Sequence, residues 1–91
     1  GSNSIRLIET FAKGLICNQF CNDNKQKILA IYNFTNKSIK GPLVALKPIA
    51  KIKYQQIFGI KSNLQIKKIK KINTIFGTVP ADEVILIYVK Y

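Results

Sequence analysis

The residue types that perform chemistry are thinly spread in this chain. Cys17 and Cys21, in "CNQFC", are its only thiols, and histidine is absent. A C-x3-C spacing departs from the C-x2-C of redox and zinc motifs, and no histidine or second cysteine pair exists to complete a tetrahedral metal site. On a helix the two thiols would share a face at i and i+4, whereas in a turn they would come within reach of a disulfide. An oxidising compartment favours that bond, and a reducing one leaves two buried thiols. Of the four carboxylates, Glu9, Asp23, Asp82 and Glu83, the adjacent Asp82 and Glu83 read as solvated turn residues rather than an acid/base pair. Without histidine no Ser-His-Asp or Cys-His arrangement can form, and no P-loop, G-x-G-x-x-G or EF-hand pattern occurs. The chain is expected not to be an enzyme and to use no metal, cofactor or small-molecule substrate.

What remains is cationic. Residues 25 to 71 hold twelve lysines and no acid, so the formal charge of +11 belongs to the middle of the chain. The densest part is "KSNLQIKKIKKINTIFG", residues 61–77, with five lysines. Such a block attracts polyanions and makes association salt-sensitive, while lysines also guard exposed sheet edges against aggregation. Lys47, Lys51, Lys53, Lys61, Lys67, Lys68, Lys70 and Lys71 form the candidate basic face. Three kinds of partner fit it: an acidic protein, a nucleic acid, or an anionic membrane surface approached by Lys67, Lys68, Lys70 and Lys71 between isoleucines. With Arg6 the only arginine, bidentate reading of guanine is unsupported, and any nucleic-acid contact would be independent of base sequence.

These side chains must be positioned by a single domain of 91 residues, nearly half of them hydrophobic. Gly1 and Ser2 read as a scar of cloning, which leaves 3–91 as one β-rich domain. No apolar run reaches the roughly 18 to 20 residues of a membrane-crossing helix, and no signal peptide is recognisable. In "SIRLIETFAKGLICNQF", Ile5, Ile8, Ala12, Leu15 and Ile16 fall on one helical face behind a Ser4 cap, although Gly14 and the β-branched content leave an extended reading open. "KQKILAIYNF" alternates Ile28, Ala30, Tyr32 and Phe34 against Leu29 and Ile31 and predicts a central strand, ended by turn chemistry at Asn36 and Ser38.

In "GPLVALKPIAKIKYQQIFG", Pro42 and Pro48 interrupt any helix, and Ala50, Ile52 and Tyr54 alternate with Lys51 and Lys53, which predicts one or two strands with lysines in water. "LQIKKIKKI" keeps neither period, and a bulge between Ile66 and Ile69 would restore a strand. "VILIYVKY" is apolar on both faces, as in a central strand or one covered by a partner. Tyr32, Phe34 and Phe76 are expected in the core, and the sequons at Asn33 and Asn36 are expected to be products of an Asn-rich composition.

A strand, then "YNFTNKSIK", then a basic alternating strand into "IFG", then "TVPADE" before a last strand: over residues 27–91 this order resembles Ig-like β-sandwich accessory domains of bacterial cell-envelope and secreted proteins. The resemblance implies a small Ig-like antiparallel β-sandwich, mainly β, with an optional N-terminal helix. It also implies a non-catalytic binding or spacing module in the envelope, periplasm or extracellular space, and it carries over no ligand site. Reduced cysteines would instead suit the cytoplasm. The rival fold is α+β, one helix packed on an antiparallel sheet. A hydrophobic partner strand pairing with an exposed edge, "VILIYVKY" among the candidates, is the alternative to an acidic partner.

Overall fold

The computed structural model describes residues 7–10, 12–23, 26–46 and 52–90, with 7–10 and 21–23 described by their backbone alone. All eight elements are strands: β1 (Leu7–Thr10), β2 (Leu15–Asp23), β3 (Gln26–Asn33), β4 (Ile39–Leu46), β5 (Lys53–Phe58), β6 (Gln65–Ile69), β7 (Ile72–Val79) and β8 (Val84–Lys90). They form two antiparallel sheets, β1-β4-β7-β6 and β2-β3-β8-β5. The mainly-β sandwich is thus the fold, and the α+β rival is not.

The core lies between the sheets. Leu29 and Ile31 of β3 and Ile85, Ile87 and Val89 of β8 meet Leu43, Val44 and Leu46 of β4 and Ile75 and Val79 of β7, all sealed from water. Each such side chain contributes about 1.5–3 kcal/mol by leaving water, which offsets the entropy of ordering the strands. β3 and β8 sit side by side in the middle of their sheet, as their two apolar faces predict. β4 accommodates Pro42 at a register shift before Val44, where a missing N–H is tolerated and Leu43 and Val44 can both face the core.

Two expectations give way. The stretch read as an N-terminal helix is extended wherever it is described: β1 and β2 flank a turn at Gly14, whose φ of +102° a glycine adopts without strain. The β-branched and aromatic content of "LICNQF" then decides in favour of pairing with β3. The expected bulge between Ile66 and Ile69 is absent. "LQIKKIKKI" loses phase because it contains a two-residue hairpin, with Ile69 opposite Ile72 and both Lys70 (φ +50°) and Lys71 (φ +70°) left-handed, as a type I′ turn demands.

Candidate functional site

The two ends of the sandwich are chemically different. One is a corner where β3 turns into β4 and β7 into β8. Asn33, fully buried, donates from Nδ2 to the carbonyls of Lys37 (2.7 Å) and Val79 (2.9 Å), while its Oδ1 accepts from Thr35 N (2.9 Å) and Thr35 Oγ1 (2.6 Å). Backbone bonds from Asn33 N to Glu83 O (3.0 Å), Phe34 N to Gly14 O (3.0 Å) and Asp82 N to Thr35 O (3.1 Å) complete it. Tyr32 Oη donates to Asp82 Oδ1 at 2.6 Å, and that hydrogen bond raises the phenol's pKa. The sequon at Asn33 is therefore structural: its amide has no hydrogen to offer a glycan. An Asn closing a strand with Thr two residues later is the signal that sequence reading passed over.

Because β3 and β7 run toward this corner, their starts, the ends of β4, β6 and β8 and the start of β5 lie at the opposite end. Exposed Lys53 and Lys90 stand directly opposite each other there, and Lys68, Lys70 and Lys71 crowd the β6–β7 hairpin. The two carboxylates whose side chains are described, Asp82 and Glu83, are both at the corner. Like charges in register destabilise a sheet slightly, and an anion lodged between them would relieve the repulsion.

The eight lysines singled out from the sequence do not make one face. Lys47 and Lys51 lie outside the described residues. Lys67 and Lys68 alternate across β6: Lys67 Nζ stands 5.1 Å above the Phe76 ring, and Lys68 projects to the other side opposite Asn73. Lys61 belongs to the link between β5 and β6. Ile66 packs on the core and Ile69 is half-buried opposite Ile72, so neither is a fully exposed surface. Lys27, counted within the cationic block, is buried instead, its Nζ donating to Gln19 Oε1 at 2.8 Å. Lys90, outside the block, joins the cationic end.

Along one side the sandwich is open. β5 ends one sheet and β6 the other, and between β5 and residues 59–65 runs a groove of about 890 Å³ lined by Tyr54, Gln56, Phe58, Lys61, Leu64 and Gln65, among others. The link is held by side chains: Gln56 Nε2 donates to the carbonyls of Phe58 (3.1 Å) and Ile60 (2.8 Å), its Oε1 accepts from Ser62 N (2.9 Å), and Tyr54 Oη donates to Leu64 O (3.3 Å). Gly59 allows the turn, since its φ is +99° and a Cβ there would stand 2.7 Å from Val84 O. Phe58 and Ile60, each 57 % exposed, and Ile57 stand beside the groove. "VILIYVKY" is not an edge, because β8 is flanked by β3 and β5; the edge strands are β1 and β6 of one sheet and β2 and β5 of the other.

Cys17 is a free thiol on β2, its pKa pushed up to about 12 by burial. Of the two readings of the cysteine pair, the disulfide with Cys21 conflicts with the strand: four extended residues hold the two Cα atoms about 13 Å apart, twice the reach of a disulfide. Tyr32 and Phe34, expected in the core, are 36 % and 53 % exposed, because the inward register of β3 is Lys27, Leu29, Ile31 and Asn33. Phe76 is half-buried under Lys67. Among the described residues no group of three or more Cys, Asp or Glu gathers as a metal site would require.

Comparison of the chain with family models, curated proteins and solved structures yields no match.

Proposed function

We propose that this domain is a non-enzymatic protein-interaction module, part of a larger bacterial envelope or secretion-associated assembly, that takes an extended acidic segment of a partner protein along its open side. The observation that carries the reading is the coincidence of two sheet-edge strands, β5 and β6, with a groove lined by Lys61 and beginning next to Lys53 in the chain. A strand edge supplies backbone donors and acceptors for an added strand, the groove supplies room for alternate side chains, and the lysines select for carboxylates and speed the encounter. The placement in an envelope assembly rests on the resemblance of residues 27–91 to accessory β-sandwich domains.

A second reading has its own support. Tyr54 and Phe58 are exposed beside Lys53 and Lys61, a pairing of aromatic and cation suited to single-stranded nucleic acid. One titration separates the two. A fluorescent peptide of about ten residues alternating Glu with Val is compared with a single-stranded oligonucleotide at about 50 and about 200 mM salt. The first reading expects the peptide to bind, to lose affinity when Lys53 and Lys61 become Gln, and to be blocked by a proline placed mid-peptide, since proline cannot extend a strand. An oligonucleotide that binds more tightly than the peptide, with a steep salt slope, would transfer the site to nucleic acid. Failure of both probes at low salt overturns the groove as a binding site.

A further inference from the structure

The outward face of the β2-β3-β8-β5 sheet carries apolar side chains on all four strands. In register it reads Ile16–Tyr32–Val84, then Asn18–Ala30–Leu86–Phe58, then Phe20–Ile28–Tyr88–Gln55, and ends in Gln26–Lys90–Lys53. Ile16, Phe20, Tyr32 and Phe58 are exposed by 36–59 %, half of all the large exposed hydrophobics among the described residues. Four strands about 4.8 Å apart and some seven residues long give a footprint of roughly 400 Å², the size of the largest surface patch on a typical monomer, which is often functional. β8 accordingly has two apolar faces for two reasons: Ile85, Ile87 and Val89 fill the core, while Val84, Leu86 and Tyr88 form the middle of this surface.

The pattern is close to palindromic. About the central row of Asn18, Ala30 and Leu86, β2 carries Ile16 on one side and Phe20 on the other, β3 carries Tyr32 and Ile28, and β8 carries Val84 and Tyr88. Two positions further out on β8 the symmetry becomes electrostatic. Lys90 lies four residues beyond Leu86, and Asp82 lies four before it, its carboxylate held beside this face by Tyr32 Oη at 2.6 Å. A surface that repeats apolar residues about its centre and is opposite in charge at its two ends is what an isologous contact requires.

We propose that this face is the interface of a homodimer. The two-fold axis lies in the plane of contact, perpendicular to the strands and level with Leu86. Each strand then packs on its own copy running the other way: Phe20 meets the second copy's Ile16, Tyr88 meets Val84, and Lys90 meets Asp82. The formal charge of +11 on each copy opposes association. Lys40 and Lys67 belong to the other sheet, however, and Lys70 and Lys71 to its hairpin, so a Debye length of about 8 Å at physiological salt screens most of that repulsion across the pair. Phe58 is shared between this face and the groove, whereas Lys61, Leu64 and Gln65, which line the rest of the groove, lie in or beyond the link after β5 and outside the contact.

Sedimentation equilibrium of the whole chain at about 0.3 mM and about 150 mM salt tests the dimer. The expected result is a mass of two chains. Phe20→Ser and Ile16→Thr, at exposed positions that leave the core intact, should each raise the dissociation constant at least about tenfold with circular dichroism unchanged. Lys90→Asp and Asp82→Lys should each weaken the dimer several-fold, and the two together should restore it, because the exchanged charges again face each other across the axis. A single-chain mass at this concentration, or a dimer indifferent to both Phe20→Ser and Ile16→Thr, overturns the interface. A double exchange no tighter than either single change overturns the arrangement about Leu86. None of these readings depends on whether a peptide enters the groove.

Discussion

The corner end and the lysine end of this sandwich close the same two sheets by opposite means. At the corner, Asn33 satisfies four polar partners in a space without water, and Asp82 and Glu83 supply the only described carboxylates. At the other end lie five exposed lysines, two in direct register on one sheet and two in a turn of the other sheet whose backbone suits glycine or asparagine better. The corner is bonded through a buried amide, whereas the other end sets like charges in register.

Substitutions at the two ends test that contrast, in falling order of effect. Asn33→Ala should cost about 2–3 kcal/mol in urea unfolding, because it leaves the buried Val79 carbonyl without a partner and removes the bonds to Thr35 and Lys37. Loss of less than about 1 kcal/mol would mean that the corner is not where the fold is held. Cys17 reports on the same half of the molecule. In a Cys21→Ser background its reaction with a thiol reagent at pH 8 should be slow, and Asn33→Ala should accelerate it by letting β2 and β3 open. The folded state keeps the thiol proton to about pH 12 whereas the unfolded chain releases it near 9.0. The thiol's contribution is therefore intact below pH 9 and is lost as pH rises toward 12, and replacing Cys17 with Ala should flatten that part of the stability curve.

At the opposite end the expected sign reverses. Lys70→Asn with Lys71→Gly should stabilise by about 1–2 kcal/mol, since both residues sit at positive φ. The smallest effect belongs to Lys53→Glu, which turns a repulsive pair with Lys90 into an attractive one worth a few tenths of a kcal/mol and fading in high salt. If either change at this end destabilises, the lysines are structural, and the contrast between the ends dissolves.

What could be read from the sequence follows from how local each determinant is. Alternation in "KQKILAIYNF" and double-sided apolarity in "VILIYVKY" predict β3 and β8 as central strands, because a strand's environment is written in its own period of two. Lys70 and Lys71 concealed a hairpin, since turn recognition relies on Gly, Asn and Pro, none of which stands there. Apolar spacing in the first segment suited a helix as well as two strands, and the choice fell to partners in β3 and β4, far along the chain. The lysines were legible as a charge but not as a place. Lys67 and Lys68 are neighbours in sequence and look in opposite directions, while Lys53 and Lys90 are 37 residues apart and side by side.

The Asn33 bond to Val79 spans 46 positions of chain. Hairpins such as β2–β3 and β6–β7 can zip locally within microseconds, but the corner unites the end of the first with the end of the second and must await the search that brings them together. Until then Ile16, Phe20, Ile28 and Tyr32 already form one side of a two-stranded ribbon, with β8 not yet beside it. A newly made chain therefore carries its most adhesive surface before it has closed, and its yield on refolding should fall as protein concentration rises.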